Sequence, residues 1–357
     1  MRISKQRRNL GRGFTIVELA ATTVVGVVGI CCWAAMSATG VGEAGGGDPP
    51  ATSGQRGEGE AEKAGDTSPL SRWSKARAEA RQLKDSIHVR SIMQSMMIFA
   101  QNNKGSFPLP GLIDGANSTV ALAEGQTAFS KNTTANIMSI LIFNGNISPE
   151  ICISPAEVNK RIKPFDTYSY GSPATAPNPA QALWDPAFSA DFTKRPEGGN
   201  FSYAHLQPSE KRRSKWADTF STTEAIVSNR APSIASVELD EQGEYVVKLR
   251  SDKSKTFRIH GDPKTWEGNV AFNDGHVEYV TSLGPKTAAP AGAGEAPNVS
   301  MWPSYSATDA KEAGKSKPKL DCYFYDETDD ATPGTNLYLG IWTKAGDTAK
   351  EFKGIWD

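Results

Sequence analysis

The first forty residues constrain this chain more than anything that follows. Residues 1–13 carry Arg2, Lys5, Arg7, Arg8 and Arg12 and no acid, and residues 19–38 carry no charge at all. Twenty residues at ~1.5 Å each make a helix of ~30 Å, the thickness of a bilayer's hydrocarbon core. The basic leader fixes its own flank in the cytoplasm, so everything after residue 40 is expected outside it. Glu18 is the one carboxylate at the edge of the apolar run. Such a group is costly unless paired.

The run Arg12-Gly13-Phe14-Thr15-Ile16-Val17-Glu18-Leu19 resembles the cleavage and methylation motif of type IV prepilins and type II secretion pseudopilins. The resemblance implies a cut between Gly13 and Phe14 by a prepilin peptidase, methylation of Phe14, and Glu18 as the fifth mature residue. It also implies single-pass residence in the inner membrane or at the cell surface, with the C-terminal part outside the cytoplasm. Partners on this reading are the membrane, the peptidase, and further copies or other pseudopilins. Two alternatives stay open. An ordinary secretory signal would be cut at the small residues around Ala35-Met36-Ser37. A lipoprotein signal would use Cys31, although Ile30 is bulky for the preceding position.

The body is mildly acidic. With the five leader bases set aside, 34 basic residues face 40 acidic ones, which gives no electrostatic reason to expect nucleic acid as a partner. A mean hydropathy of −0.44 excludes a polytopic membrane protein. Of four cysteines, Cys31 and Cys32 lie in the apolar run; Cys152 and Cys322 can either pair or stay as two small buried residues. No Cys/His spacing suggests zinc.

The organisation expected from the sequence is a leader (1–13), a membrane helix (14–39), a Gly-, Pro- and acid-rich flexible linker (40–69), a globular domain (70–283), a second linker (284–300) and a C-terminal β extension (301–357). The first linker departs from the pilin pattern, in which the membrane helix runs unbroken into the soluble domain. Helical periodicity over 71–103 puts Leu83, Ile87, Ile92, Met93, Met96, Met97, Phe99 and Ala100 on one stripe, stopped by Gly105, with His88 packed or half-exposed beside it. A second helix is expected over 133–143, closed by Asn144-Gly145. The aromatic-rich stretch 164–203 reads as packing over a sheet, with a partner- or carbohydrate-binding face as the alternative. Strands are expected at 200–205, 224–228, 236–239, 245–250, 256–260, 269–272, 276–281, 322–325 and 336–343. Turns fall at Glu241-Gln242-Gly243 and Asn273-Asp274-Gly275. The fold class is therefore α+β: an amphipathic helix on a mostly antiparallel sheet, with a long irregular insertion.

The segment from Ile87 to Pro108 and the stretch His260…Asn269-Val270-Ala271-Phe272-Asn273-Asp274-Gly275-His276-Val277 resemble the helix-to-loop junction and the C-terminal His…Asp-Gly-His-Val signature of the large planctomycete prepilin-like proteins. Asp274-Gly275 reads first as a structural turn closing a two-residue hairpin; the alternative is a weak site built from His260, Asp274 and His276. The acidic run from Asp326 to Asp330 reads as a solvated turn, with calcium binding as its alternative. No nucleophile elbow, phosphate loop, dinucleotide fingerprint or zincin motif occurs, so no catalytic residue, cofactor or metal is expected. The expected function is an exported, membrane-anchored pseudopilin-like subunit with a structural or assembly role. The alternative is a membrane-tethered module that binds a ligand or carbohydrate without forming filaments.

Overall fold

The computed structural model describes residues 69–239, 245–251, 253–261, 266–281, 283, 322–326 and 337–357. The expected leader, anchor and first linker, and with them Gly13, Phe14 and Glu18, lie outside the described residues, as do the Glu241-Gln242-Gly243 turn and the second linker. Among the described residues no helix is long and apolar enough to cross a membrane.

Helix α1 (Pro69–Asn102) has proline only at its first position and no glycine, and it is rich in Ala, Gln, Lys, Arg and Met, all strong helix formers. It stops where Lys104 and Gly105 take positive φ (56° and 80°) and the Gly105 amide closes back on the Ala100 carbonyl at 2.9 Å. None of residues 70–84 is buried. From Asp85 onward one face closes on the protein through Val89, Ile92, Met93, Met96, Phe99 and Ala100. Leu83 and Ile87, expected on that stripe, are instead 66% and 53% exposed. At ~100° per residue, Ile92 and Met96 stand about 140° and 180° round the helix from Ile87. The helix carries two apolar stripes, which periodicity alone merges.

That buried face lies on a six-stranded sheet, ordered β6-β5-β2-β1-β7-β8, in which every neighbouring pair is antiparallel. The strands are β1 (Tyr203–Leu206), β2 (Ala225–Asn229), β5 (Gly268–Phe272), β6 (Val277–Val280), β7 (Leu339–Lys344) and β8 (Lys353–Ile355). β3 (Ile234–Leu239) and β4 (Tyr245–Leu249) form a separate two-stranded sheet. Every residue of β1, β2 and β5 is buried. Successive strand side chains point to opposite faces, so both faces of the sheet centre are covered. Helix α1 packs on β2, β5 and β6, while helix α3 (Thr134–Phe143) packs on β7. Helix α3 begins with Thr133 accepting from the Asn136 amide and ends at Asn144, before Gly145 at φ 71°. A one-turn helix α2 (Pro110–Ile113) precedes it.

Three expectations need correcting. Residues 256–260 are not a strand: Lys255–Arg258 is a 3₁₀ turn, started by the Ser254 hydroxyl accepting from the Thr256 amide. Its buried residues Thr256, Phe257 and Ile259 do not alternate, as a half-buried strand requires. Residues 322–325 form a turn, with Cys322, Tyr323 and Phe324 buried in succession. The tail expected as an extension supplies β7 and β8 to the main sheet, with β7 beside β1. The aromatic stretch is core: Trp184, Phe188, Phe192, Phe201 and Tyr203 are buried, and Tyr170 stays exposed.

Candidate functional site

Helix α1 delivers one carboxylate into the sheet. Asp85 is fully buried. Tyr203 Oη donates to its Oδ1 at 2.9 Å; His260 Nε2 and Asn269 Nδ2 meet its Oδ2 at 2.7 and 2.9 Å. The strand register explains how these groups converge. Tyr203 stands opposite Asn229, Asn269 stands opposite Tyr279, and one step beyond the Ser228–Val270 pair brings Asn229 opposite Asn269. Cross-strand partners share a face, so one row of polar side chains crosses β1, β2, β5 and β6 beneath Asp85. The Asn229 side-chain oxygen also accepts the Asn269 amide at 2.7 Å.

Burial alone would push the Asp85 carboxyl up. Interactions with His260, together with bonds from Ser154 and Asn229, outweigh it and hold the group below the usual carboxylate range. Tyr203 is pushed well up, first by burial and then by the Asp85 charge, so its hydroxyl stays a neutral donor. Against an ionised Asp85, His260 Nε2 carries the hydrogen. The His260 and Asp85 side chains are 3% and 0% exposed. The cluster joins α1 to the sheet and presents no reactive group to solvent.

Asp274 and Gly275 do form the expected hairpin tip between β5 and β6, in a different geometry. Of the two, only Gly275 takes positive φ, 87°. Its amide closes on the Phe272 carbonyl at 2.9 Å, and the Phe272 amide bonds the His276 carbonyl at 3.0 Å. This is a three-residue loop ending in a left-handed glycine, not the two-residue turn expected. Asn273 accounts for the extra residue. Its amide bonds the Glu224 carbonyl, its Nδ2 donates to the Ala217 carbonyl at 2.9 Å, and its Oδ1 accepts the Thr219 amide at 3.2 Å. Asp274 Oδ1 bonds His276 Nδ1 and accepts the His276 amide at 3.1 Å, while the His276 ring stacks on Phe272 at 4.4 Å. Burial pushes the Asp274 carboxyl up, but its bonds to His276 outweigh this and hold it low.

The structure does not bring His260 to Asp274 and His276. Asp85, which holds His260, and Met97, whose Sδ lies beneath Gly275, are twelve positions apart on α1, about 18 Å. Among the described residues no group of three or more His, Cys, Asp or Glu side chains is placed to hold a metal. Of the acidic run only Asp326 is described, and it pairs with Arg212 at 2.9 Å. Cys152 and Cys322 are not joined in a disulfide and are both buried, and burial raises the Cys152 thiol. His88 is buried with Nδ1 on the Ile153 carbonyl; burial lowers its pKa against that bond.

Besides the Asp85 cluster, sequence reasoning missed three features. Lys131 is buried, with its ammonium on Asp114 Oδ2, the Asp114 carbonyl and Asn117 Oδ1 at 2.6–2.8 Å. Arg230 joins Glu157 at 2.5 Å and also pairs with Asp357. A cleft of about 140 Å³ is lined by Arg250, Phe324, Tyr325, Asp326, Tyr338 and Trp356, among others. A second void, beside Arg230 and Phe192, is only about 10 Å³, room for one water at most. The cleft residues are scattered in sequence, and no local pattern announces them. Comparison with known protein families, curated proteins and solved structures finds no match to this chain.

Proposed function

We propose that this chain is an exported, membrane-anchored pseudopilin-like subunit with a structural or assembly role in a type II secretion or type IV pilus-like system. The observation that carries the reading is the Gly13-Phe14 junction with Glu18 at the boundary between a basic leader and twenty uncharged residues. The geometry supports it in two ways. A 34-residue helix is keyed to an antiparallel sheet by its second half, while its first half, the half nearer the N-terminus in sequence, stands clear of the core. The buried charges of Asp85, Lys131 and Arg230 are each directed at neighbours inside the fold, as suits a rigid building block. Glu18→Ala should lower the yield of crosslinked multimers in membranes and leave the melting of the folded domain unchanged. An unchanged crosslinking yield would reduce the N-terminal helix to a simple anchor.

The aromatic cleft favours a second reading, a tethered ligand- or carbohydrate-binding module. Tyr338 and Trp356 stand nearly parallel there, with ring centres 6.4 Å apart. Monomeric detergent extracts that bind a saccharide, and lose it with Trp356→Ala, would favour this second reading.

A further inference from the structure

The first half of α1 carries a surface that the sheet does not use. Trp73, Ala76, Ala80, Leu83 and Ile87 recur at alternating three- and four-residue steps, which places them on one helix face. That face lies opposite the one buried on the sheet, since Met96 is half a turn round from Ile87. Trp73 is 67% exposed and, next to the stripe, Leu70 is 81% exposed. Five bases, Arg72, Lys75, Arg77, Arg81 and Lys84, accompany it with Glu79 as the only acid. All five are exposed, and within the described residues none makes an ion pair. By helical geometry Arg77, Arg81 and Lys84 border the stripe on one side and Arg72 and Lys75 on the other.

We propose that this outer face of α1 lies on an anionic bilayer surface. An apolar strip with a tryptophan, bordered by long basic side chains, matches the boundary between acyl chains and headgroups. The ring and leucines enter the boundary, while the basic stems reach back to lipid phosphates. The net charge over 72–84 is complementary to anionic headgroups, each base contributing about a fivefold gain in the binding constant. The inference rests on the membrane-anchored reading. A flexible linker of the thirty residues expected from the sequence has a root-mean-square span of about 30 Å, so an anchored chain meets the surface at high local concentration.

The test uses the full-length chain with Cys31→Ser, Cys32→Ser and Leu83→Cys, spin-labelled at position 83 and reconstituted into vesicles. Cys152 and Cys322 are buried. A label at Leu112→Cys, an exposed position off the helix, serves as the aqueous control. In vesicles of mixed phosphatidylcholine and phosphatidylglycerol, the label at 83 should be open to oxygen and shielded from a water-soluble nickel chelate. In phosphatidylcholine alone it should be aqueous. Arg77→Gln, Arg81→Gln and Lys84→Gln together should lower the bound-to-free ratio about a hundredfold. An aqueous label in the anionic vesicles overturns the proposal. A label shielded equally in both vesicles and released by salt also overturns it, by showing that an acidic protein segment, such as that at 43–66, covers the face. A chain that does not float with vesicles at all overturns the anchored reading and this inference with it; a chain that floats with the anionic vesicles while its label stays aqueous overturns this inference alone.

Discussion

Removing the Asp85 carboxylate should be among the most damaging single changes in the folded domain. Three donors converge on it from three separate segments, at 2.7–2.9 Å and without solvent. Asp85→Leu strands Tyr203, His260 and Asn269 without their acceptor. Each buried orphan costs about 1–3 kcal/mol. Some relaxation is shared among the three, so a total near ~4 kcal/mol is the working figure. Asp85→Asn is milder. Its oxygen can still face His260 and Asn269 and its amide can face the Tyr203 oxygen, which loses charge assistance but not the bonds, about 1–2 kcal/mol. The assay is urea unfolding in detergent at pH 7, read as a change of midpoint at unchanged slope. The pH dependence supplies a second check. A carboxyl held lower in the folded than in the unfolded state adds stability above its ordinary value near ~3.9, and that stability is lost as pH falls through the folded value. The deficit of Asp85→Asn relative to wild type should therefore shrink below about pH 4. An Asp85→Leu protein as stable as wild type would refute the view that this cluster fastens α1 to the sheet.

Other outcomes follow from the same reasoning. Gly275→Val puts a β-branched residue at φ 87°, with its Cβ about 3.3 Å from Met97 Sδ, and should cost about 1–3 kcal/mol in thermal melts. Asp274→Asn keeps the oxygen that accepts the His276 amide and should shift stability by less than about 0.5 kcal/mol; neither calcium nor zinc should raise the wild-type melting temperature. If Asp274→Asn abolished a metal-dependent rise, the hairpin tip would be a binding site after all. Lys131→Met leaves Asp114 buried without its ammonium and should cost about 3–5 kcal/mol, with increased proteolysis of the 114–120 loop as a local readout. His205 is fully buried between Thr134 Oγ1 and the Leu206 carbonyl, and burial pushes its pKa down to about 4. The neutral ring is favoured in the fold, so this contribution is complete above the unfolded value near 6.5 and is lost as pH falls towards 4, about 3 kcal/mol in all. His205→Gln should flatten the stability profile across that window.

What the sequence disclosed was mostly local. Helix α3 was legible because its signals sit at its own ends, Thr133 before it and Asn144-Gly145 after it. The β5–β6 hairpin was legible because only a residue tolerant of positive φ closes it, though the anchoring of Asn273 by a distant segment changed the loop length. Features that depend on distant partners were not legible. Asp85 reads as an ordinary surface acid on a polar helix. The one signal that could have found it is its spacing, four positions before Val89 and seven before Ile92, at the register of the buried face. Its partners at 203, 260 and 269 are defined only by strand register. Leu83 and Ile87 read as part of the buried face because a helix with two apolar stripes gives no single clear period. Residues 256–260 alternate Phe257 and Ile259 with polar residues as a strand does, and the Ser254 cap that turns them into a helical turn is a short-range competitor that the alternation does not register.

The central claim concerns the N-terminus, and the mass of the mature N-terminal peptide tests it most directly. Protein purified from membranes of cells that carry a prepilin peptidase should begin at Phe14, bear a methyl group on its amine, and retain Glu18 as its fifth residue. Gly13→Arg should leave the leader attached. A mature chain beginning near Ala38, or one that still starts at Met1 in the presence of the peptidase, would contradict the pseudopilin-like account.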